Sequence, residues 1–248
     1  MKAKMLCLAL LALAACSPAP APPAPVETAP AAIDLAALEG RIIARGAAPD
    51  WRLEADPEIG VILTTHGHED TTSALFAAPQ RFGERGAQLI SGDIVLTLDD
   101  APCTLAGASY PYTATVKAGE ADDVLSGCAF VRWDAQLMAL LPAIDSCLSE
   151  VTEETPLRIS YAATQSDGRV LVRVRNENGG YDCRVTPGVG DPMPDIGPSD
   201  PALLIGGDGA AIFVRAPGEN PGGQCYEAPE VRAADGALLG WMDDPEGC

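Results

Sequence analysis

Between Arg41 and Val131 the chain is a series of short stretches in which apolar and polar residues alternate, with no helical spacing among them. In WRLEAD, residues 51–56, Trp51, Leu53 and Ala55 fall on one side and Arg52, Glu54 and Asp56 on the other. That is the pattern of a strand with one buried and one outward face. RIIARG, GVILTT, DIVLTL, YTATVK and VLSGCAFV follow as further strands, and Gly, Asp and Pro separate them. Regularly spaced strands with no helix between them pair antiparallel. Residues 33–132 are therefore expected to form a small antiparallel β-barrel or sandwich.

The pattern changes at Trp133. In DAQLMALLPAIDSCLSE, residues Leu137, Leu140, Leu141, Ile144 and Leu148 share one helical face. Pro142 has no N–H and suits a first turn, which places the firm start of the helix near Leu141. Strand patterns return in LRISYA, GRVLVRVR, GYDCRV, AAIFVRA, QCYEAPEV and GALLGWM, with NENGG as a hairpin turn between the second and third. Residues 186–208, rich in Pro, Gly and Asp, read as a long irregular loop. Residues 133–248 are thus expected to lay a helix on an antiparallel sheet, giving a mainly β chain with an α+β second half.

The chain opens MKAKMLCLALLALAACSPAP. Lys2 and Lys4 precede an apolar run, Met5 to Leu13, too short to span a bilayer but suited to a secretory signal. Leu13-Ala14-Ala15-Cys16 resembles the bacterial lipobox. The resemblance implies cleavage after residue 15 and acylation of Cys16, and several acyl chains hold a protein firmly to a membrane. Ser17, rather than Asp, resembles the pattern sorted to the outer membrane, with the body facing the periplasm. Residues 16–32 then form the acylated cysteine and a Pro/Ala stalk, extended by roughly 50 Å if polyproline II.

Cys7 is lost with such a signal, which leaves Cys103, Cys128, Cys147, Cys183, Cys225 and Cys248. An even number in an exported chain reads as three disulfides. Many pairings satisfy that count. If Cys103 pairs with Cys128 inside the first half, Cys147–Cys183 with Cys225–Cys248 is the preferred arrangement of the rest. The absence of a C-x-x-C pair argues against a zinc ribbon and a thioredoxin-like site.

Loss of Lys2 and Lys4 takes the formal net charge from −19 to −21 and leaves Lys117 as the single lysine. Such a surface is repelled by nucleic acid and by anionic lipid, and attracts a basic protein or a cationic ligand. The membrane is expected to be reached only through the covalent lipid.

ARGAAPDW (Ala44 to Trp51), Cys103, the Tyr110-Pro111-Tyr112 run and Gly127-Cys128 resemble small domains of proteobacterial lipoproteins without assigned activity. More remotely, residues 44–128 are similar to the disulfide-closed barrels of lysozyme-inhibitor and heat-shock lipoproteins. No established activity comes with the likeness.

VILTTHGHEDTTSAL, residues 61–75, contains His66, His68 and Asp70 in an H-x-H-x-D spacing that looks like the metal loop of the metallo-β-lactamase fold. A catalytic zinc needs three protein ligands or more and an open position. Here Thr71 stands where that family has another histidine, and none follows His68. The stretch is read as a polar hairpin turn with Gly67 at its tip; no metal, cofactor or catalytic residue is expected. There is no G-x-S-x-G elbow, and GGDGA at 206–210 lacks a P-loop lysine and reads as an Asp-Gly hairpin.

In GRVLVRVR, Arg169, Arg173 and Arg175 share one strand face, and Arg158 and Arg184 on neighbouring strands extend the row. Guanidinium forks suit carboxylates and phosphates, so the row is a candidate anion-binding face. The competing reading is a solvated face paired with the plentiful Asp and Glu. The chain as a whole reads as a non-enzymatic binding or structural module of the cell envelope. The alternative is an inhibitor of a basic lysozyme-type muramidase, against which ISGDIV keeps only the Ser91-Gly92 start of the S-G-x-[RK]-Y motif. An envelope hydrolase ranks third.

Overall fold

A computed structural model describes residues 32–66, 71–73, 76–119, 123–151, 157–188, 194–222 and 227–245. The signal, Cys16, the stalk up to residue 31, Gly67, His68, Asp70, Cys225 and Cys248 lie outside the described residues. The chain is mainly β, with a large curled antiparallel sheet followed by a second sheet that carries a helix.

The first sheet is built from β1 (Ile42–Ala47), β2 (Asp50–Asp56), β3 (Gly60–Thr65), β4 (Thr71–Ser73), β5 (Gln80–Phe82), β6 (Gly86–Ser91) and β7 (Ile94–Asp99). A separate hairpin, β8 (Cys103–Leu105) and β9 (Ala108–Tyr110), interrupts it before β10 (Tyr112–Ala118) and β11 (Leu125–Val131) complete it. The order β4-β3-β2-β1-β11-β10-β7-β6-β5 is antiparallel throughout. The sheet curls until its β4 end returns to β6, where the Ser73 and Ser91 hydroxyls lie 2.9 Å apart. Its inner face holds Trp51, Leu53, Val61, Leu89, Leu96 and Val116. Ile33 and Leu38, flanking and ending a 3-10 turn that the Asp34 carboxylate caps at the Ala36 N–H, close the same core.

Trp51, Leu53 and Ala55 point inward as their alternation requires. Asp56 departs from it. It is buried rather than outward-facing, takes a hydrogen bond from Arg41 at 2.7 Å and accepts the Glu58 and Ile59 N–H groups of the following turn. Strands β4, β5, β6, β8 and β9 add to the strands that the sequence pattern predicts. All but β6 are three-residue pieces, and β6 alternates on Ala87, Leu89 and Ser91, a weak apolar signal.

The second sheet comprises β12 (Arg158–Thr164), β13 (Val170–Asn176), β14 (Gly179–Val185), β15 (Asp195–Pro198), β16 (Ile212–Arg215), β17 (Glu230–Arg232) and β18 (Leu238–Asp243), ordered β15-β14-β13-β12-β16-β18-β17. Residues 186–208 are thus not wholly irregular, since β15 pairs with β14 along its length. Helix α1 (Leu137–Glu150) follows a 3-10 turn at Trp133–Gln136 and buries Leu137, Leu140, Leu141, Ile144 and Cys147 against β12–β14. Pro142 lies inside it, contrary to the expected start near Leu141. Pro142 and Met138 both face solvent, so the Met138 carbonyl that loses its helical donor is open to water.

Among the described residues two disulfides fasten these layers. Cys103–Cys128 clips the β8–β9 hairpin to β11, and Cys147–Cys183 clips α1 to β14. Neither joins one sheet to the other.

Candidate functional site

Strands β1 and β11 are buried on both faces. Ile42, Ala44 and Ala129 enter the barrel core, while Ile43, Cys128 and Phe130 point outward and pack with Tyr110 of β9. This outer cluster meets the second sheet through one turn, Gly206–Gly209. A Cβ on Gly206 would stand 2.2 Å from the Tyr110 ring, and one on Gly207, at φ +91°, 2.5 Å from the Phe130 ring. Only glycine allows such an approach of backbone to ring. Around the turn, Ser109 donates its N–H to Leu204 O, Gly206 returns one to Ser109 O, and Gly209 donates to Ser160 O of β12. GGDGA is therefore not a hairpin between two strands but a wedge between two sheets.

The wedge delivers Asp208 to the arginine row. Arg173, although on the face opposite Val170, Val172 and Val174, is buried, with its side chain 4% exposed. Its Nε and Nη2 form a fork on Asp182 at 2.7 and 2.8 Å, and its Nη1 donates to Asp208 at 2.9 Å and to Leu203 O at 3.2 Å. Arg175 shares the same Asp208 oxygen and donates Nε to the Ser160 hydroxyl at 2.9 Å. Ser199 donates to Asp182 at 2.9 Å.

The expected row is thus present on one face but does not form a free anion-binding surface. Arg173 is filled by carboxylates of this chain, and Arg169 turns aside to Asp167 at 2.7 Å. Arg158 stands opposite Arg175, and Arg184 opposite Leu171, in strand register. The solvated-face reading also needs correction at Arg173, because the loop from Ser199 to Gly209 covers it. Exposed Arg169 fits that reading.

Burial alone would raise the Asp208 carboxyl, but hydrogen bonds from Ser160, Arg173 and Arg175 outweigh it and hold the pKa below its ordinary value. Asp182 behaves alike, with burial overcome by Arg173 and Ser199. Hydrogen bonding to Asp182, against the opposing effect of burial, raises the Arg173 guanidinium further above its already high value. Burial, then the Asp208 charge, pushes the Tyr161 phenol up to about 12. The shifts at Asp182, Asp208 and Arg173 each favour the charged form, as mutual pairing requires, whereas the shift at Tyr161 keeps the phenol neutral.

Beside it an open cleft of about 760 Å³ runs between the β13–β14 hairpin and the covering loop. Arg175 and Glu177 line one wall, and Leu203 and Leu204, 40% and 48% exposed, line the other. A charged wall opposite an apolar one can orient a ligand with both characters. Asp208 and Ser199, which complete the cluster, carry no local signal in the sequence. Asp182 was legible in principle, since a two-residue turn after Asn176 puts Arg173 opposite Asp182.

Elsewhere, His66 is an exposed residue at the end of β3, its N–H donated to Asp50 O, and the strands on either side of residues 66–70 pair antiparallel. Among the described residues, no cluster of three or more His, Cys, Asp or Glu is arranged to hold a metal ion. No helix among them is long and apolar enough to cross a membrane. No protein-family model, curated protein or solved structure matches the chain.

Proposed function

We propose that this protein is a bacterial cell-envelope lipoprotein, held to the outer membrane by acyl chains on Cys16 and facing the periplasm, that works as a non-enzymatic binding module. The observation that carries the binding role is the cleft at the seam, whose walls are fixed by the Arg173–Asp182–Asp208 clamp and whose Leu203 and Leu204 stay open to solvent. A preformed wall of this kind lowers the ordering cost of binding. The carboxylates of the clamp are held below their ordinary pKa and its Arg173 above, which supports a fixed ion-paired wall for binding rather than an acid–base role. The net charge of −21 left after loss of the signal favours a basic envelope protein as partner and disfavours nucleic acid.

The test has two arms. Cys16→Ser should abolish lipid labelling and release the protein from the membrane fraction, and continued retention without lipid would refute the anchor. A photo-crosslinking residue at Leu204, in intact cells, should give a discrete adduct that the same residue at Lys117 does not. Identical adducts at both positions, or none at Leu204, would refute the cleft as the binding surface.

A further inference from the structure

The Gly206–Gly209 turn also faces Arg45 and Tyr110. There Arg45 of β1 carries its guanidinium carbon 5.9 Å from the Tyr110 ring centre and 5.8 Å from that of Phe130. Its Nε–H is buried and has no hydrogen-bond acceptor. Among the described residues no carboxylate lies within ion-pair distance of it, unlike Arg41, Arg132, Arg173 or Arg215. A buried guanidinium donor without an acceptor is costly, and native proteins rarely leave one so.

A cavity of about 250 Å³ opens beside this side chain, lined by Arg45, Tyr110 and the chain from Ile205 to Ala210. That volume has room for a handful of solvent-sized groups, each of about 30 Å³. Gly209, at φ +81°, has nothing within 4 Å of the place a Cβ would take, so the turn leaves this space open. We propose that the cavity binds a carboxylate, with Arg45 as the group that receives it.

The chemistry follows from what lines the space. A guanidinium that lies over ring faces keeps its in-plane N–H groups for an acceptor, and its planar fork matches the two oxygens of a carboxylate. Arg45 is the one cation in the lining, whereas Asp208 also lines it and the chain carries a net charge of −19. One positive charge in a negative surrounding selects a monoanion and disfavours a dianionic phosphate. The carboxylate can come from a small free acid or from the C-terminus of a peptide. This site shares Ile205 and Asp208 with the cleft but does not depend on the role assigned there.

The test is a titration of the full exported protein, isotopically labelled, with acetate, acetyl-Gly-Ala, its C-terminal amide and inorganic phosphate in separate series. The amide resonances of Gly206, Gly207 and Gly209 are followed. The peptide acid should shift them saturably, the amide should not, and Arg45→Gln should weaken binding about tenfold or more. Acetate binding as tightly as the peptide acid identifies a small free carboxylate, and a peptide preference identifies a chain terminus. Should Arg45→Gln fail to fold, the comparison of acid with amide on the unsubstituted protein decides the matter. No shift with any carboxylate, equal shifts with acid and amide, or a response to phosphate alone overturns the proposal.

Discussion

Asp244, just beyond the final strand, accepts a hydrogen bond from Arg132 at 2.6 Å, on the residue that follows the last strand of the first sheet. The same carboxylate oxygen takes Arg41 Nη1 at 3.1 Å. The residue after β18 is thereby tied to the residues that precede β1 and follow β11, two neighbouring strands inside the nine-stranded sheet. Burial works against the Arg132 charge, but Asp134 and Asp244 more than offset it and raise its pKa. This tie and the Gly206–Gly209 wedge join two sheets that no disulfide among the described residues joins.

The clamp should respond to single and combined substitutions with opposite economy. Arg173→Met strands two carboxylates whose side chains are 5% and 9% exposed and should cost about 3–5 kcal/mol, because breaking one partner of a buried set leaves uncompensated charge. Replacing Arg173, Asp182 and Asp208 together by Met, Leu and Asn should cost less than Arg173→Met alone. Urea unfolding of the variants measures both, and a triple variant weaker than the single one would contradict the account.

Acid should unfold the protein through the same residues. Asp56, Asp182 and Asp208 have lowered pKa values in the folded chain, so their contribution is complete above the ordinary carboxylate value of about 4 and is lost as pH falls below it. Asp243 has the opposite sign. Burial raises its pKa, so it withdraws some stability as pH climbs through that raised value. The thermal midpoint should therefore drop steeply below about pH 4, and Asp208→Asn should make that drop shallower.

Removal of the Cys103–Cys128 bond by a double alanine substitution should cost about 2–4 kcal/mol. The loss should not stay within the first sheet. The β8–β9 hairpin holds Tyr110 against Gly206 and exchanges backbone hydrogen bonds with Leu204 and Gly206, so its release should free the wedge as well. Hydrogen exchange should show lost protection at Ser109 and Gly206, while Cys147–Cys183 and the helix it holds remain protected.

The wedge glycines should differ sharply among themselves. Gly206→Ala drives a Cβ into the Tyr110 ring, and Gly207→Ala adds a positive φ to a clash with Phe130, so each should lose about 1–3 kcal/mol or more. Gly209→Ala meets open space and carries only the cost of its φ of +81°. Thermal denaturation of the three variants should rank Gly209→Ala as the mildest.

Much of the fold was written in local pattern. Alternation at Trp51, Leu53 and Ala55, the helical face from Leu137 to Leu148 and the turn after Asn176 each depend on neighbours a few residues away, and each formed as that pattern requires. The short strands β4, β5, β8 and β9 were not legible because three residues carry no period, and their place comes from the sheet or disulfide that receives them. The arginine row was likewise visible as a row, since strand geometry alone puts Arg173 and Arg175 on one face.

What the row does was decided by the tertiary structure. Whether Arg173 meets solvent, a ligand or a carboxylate turns on Asp208, which reaches it from a turn 35 residues away only because Gly206 and Gly207 fit against Tyr110 of the β8–β9 hairpin and Phe130 of the first sheet. The same turn leaves Arg45 beside a cavity rather than beside an acid. Local periodicity fixes which side of a strand a residue faces. It carries no information about what distant chain will cover that side, because that choice is made by long-range packing and by the cost of leaving buried charge unpaired.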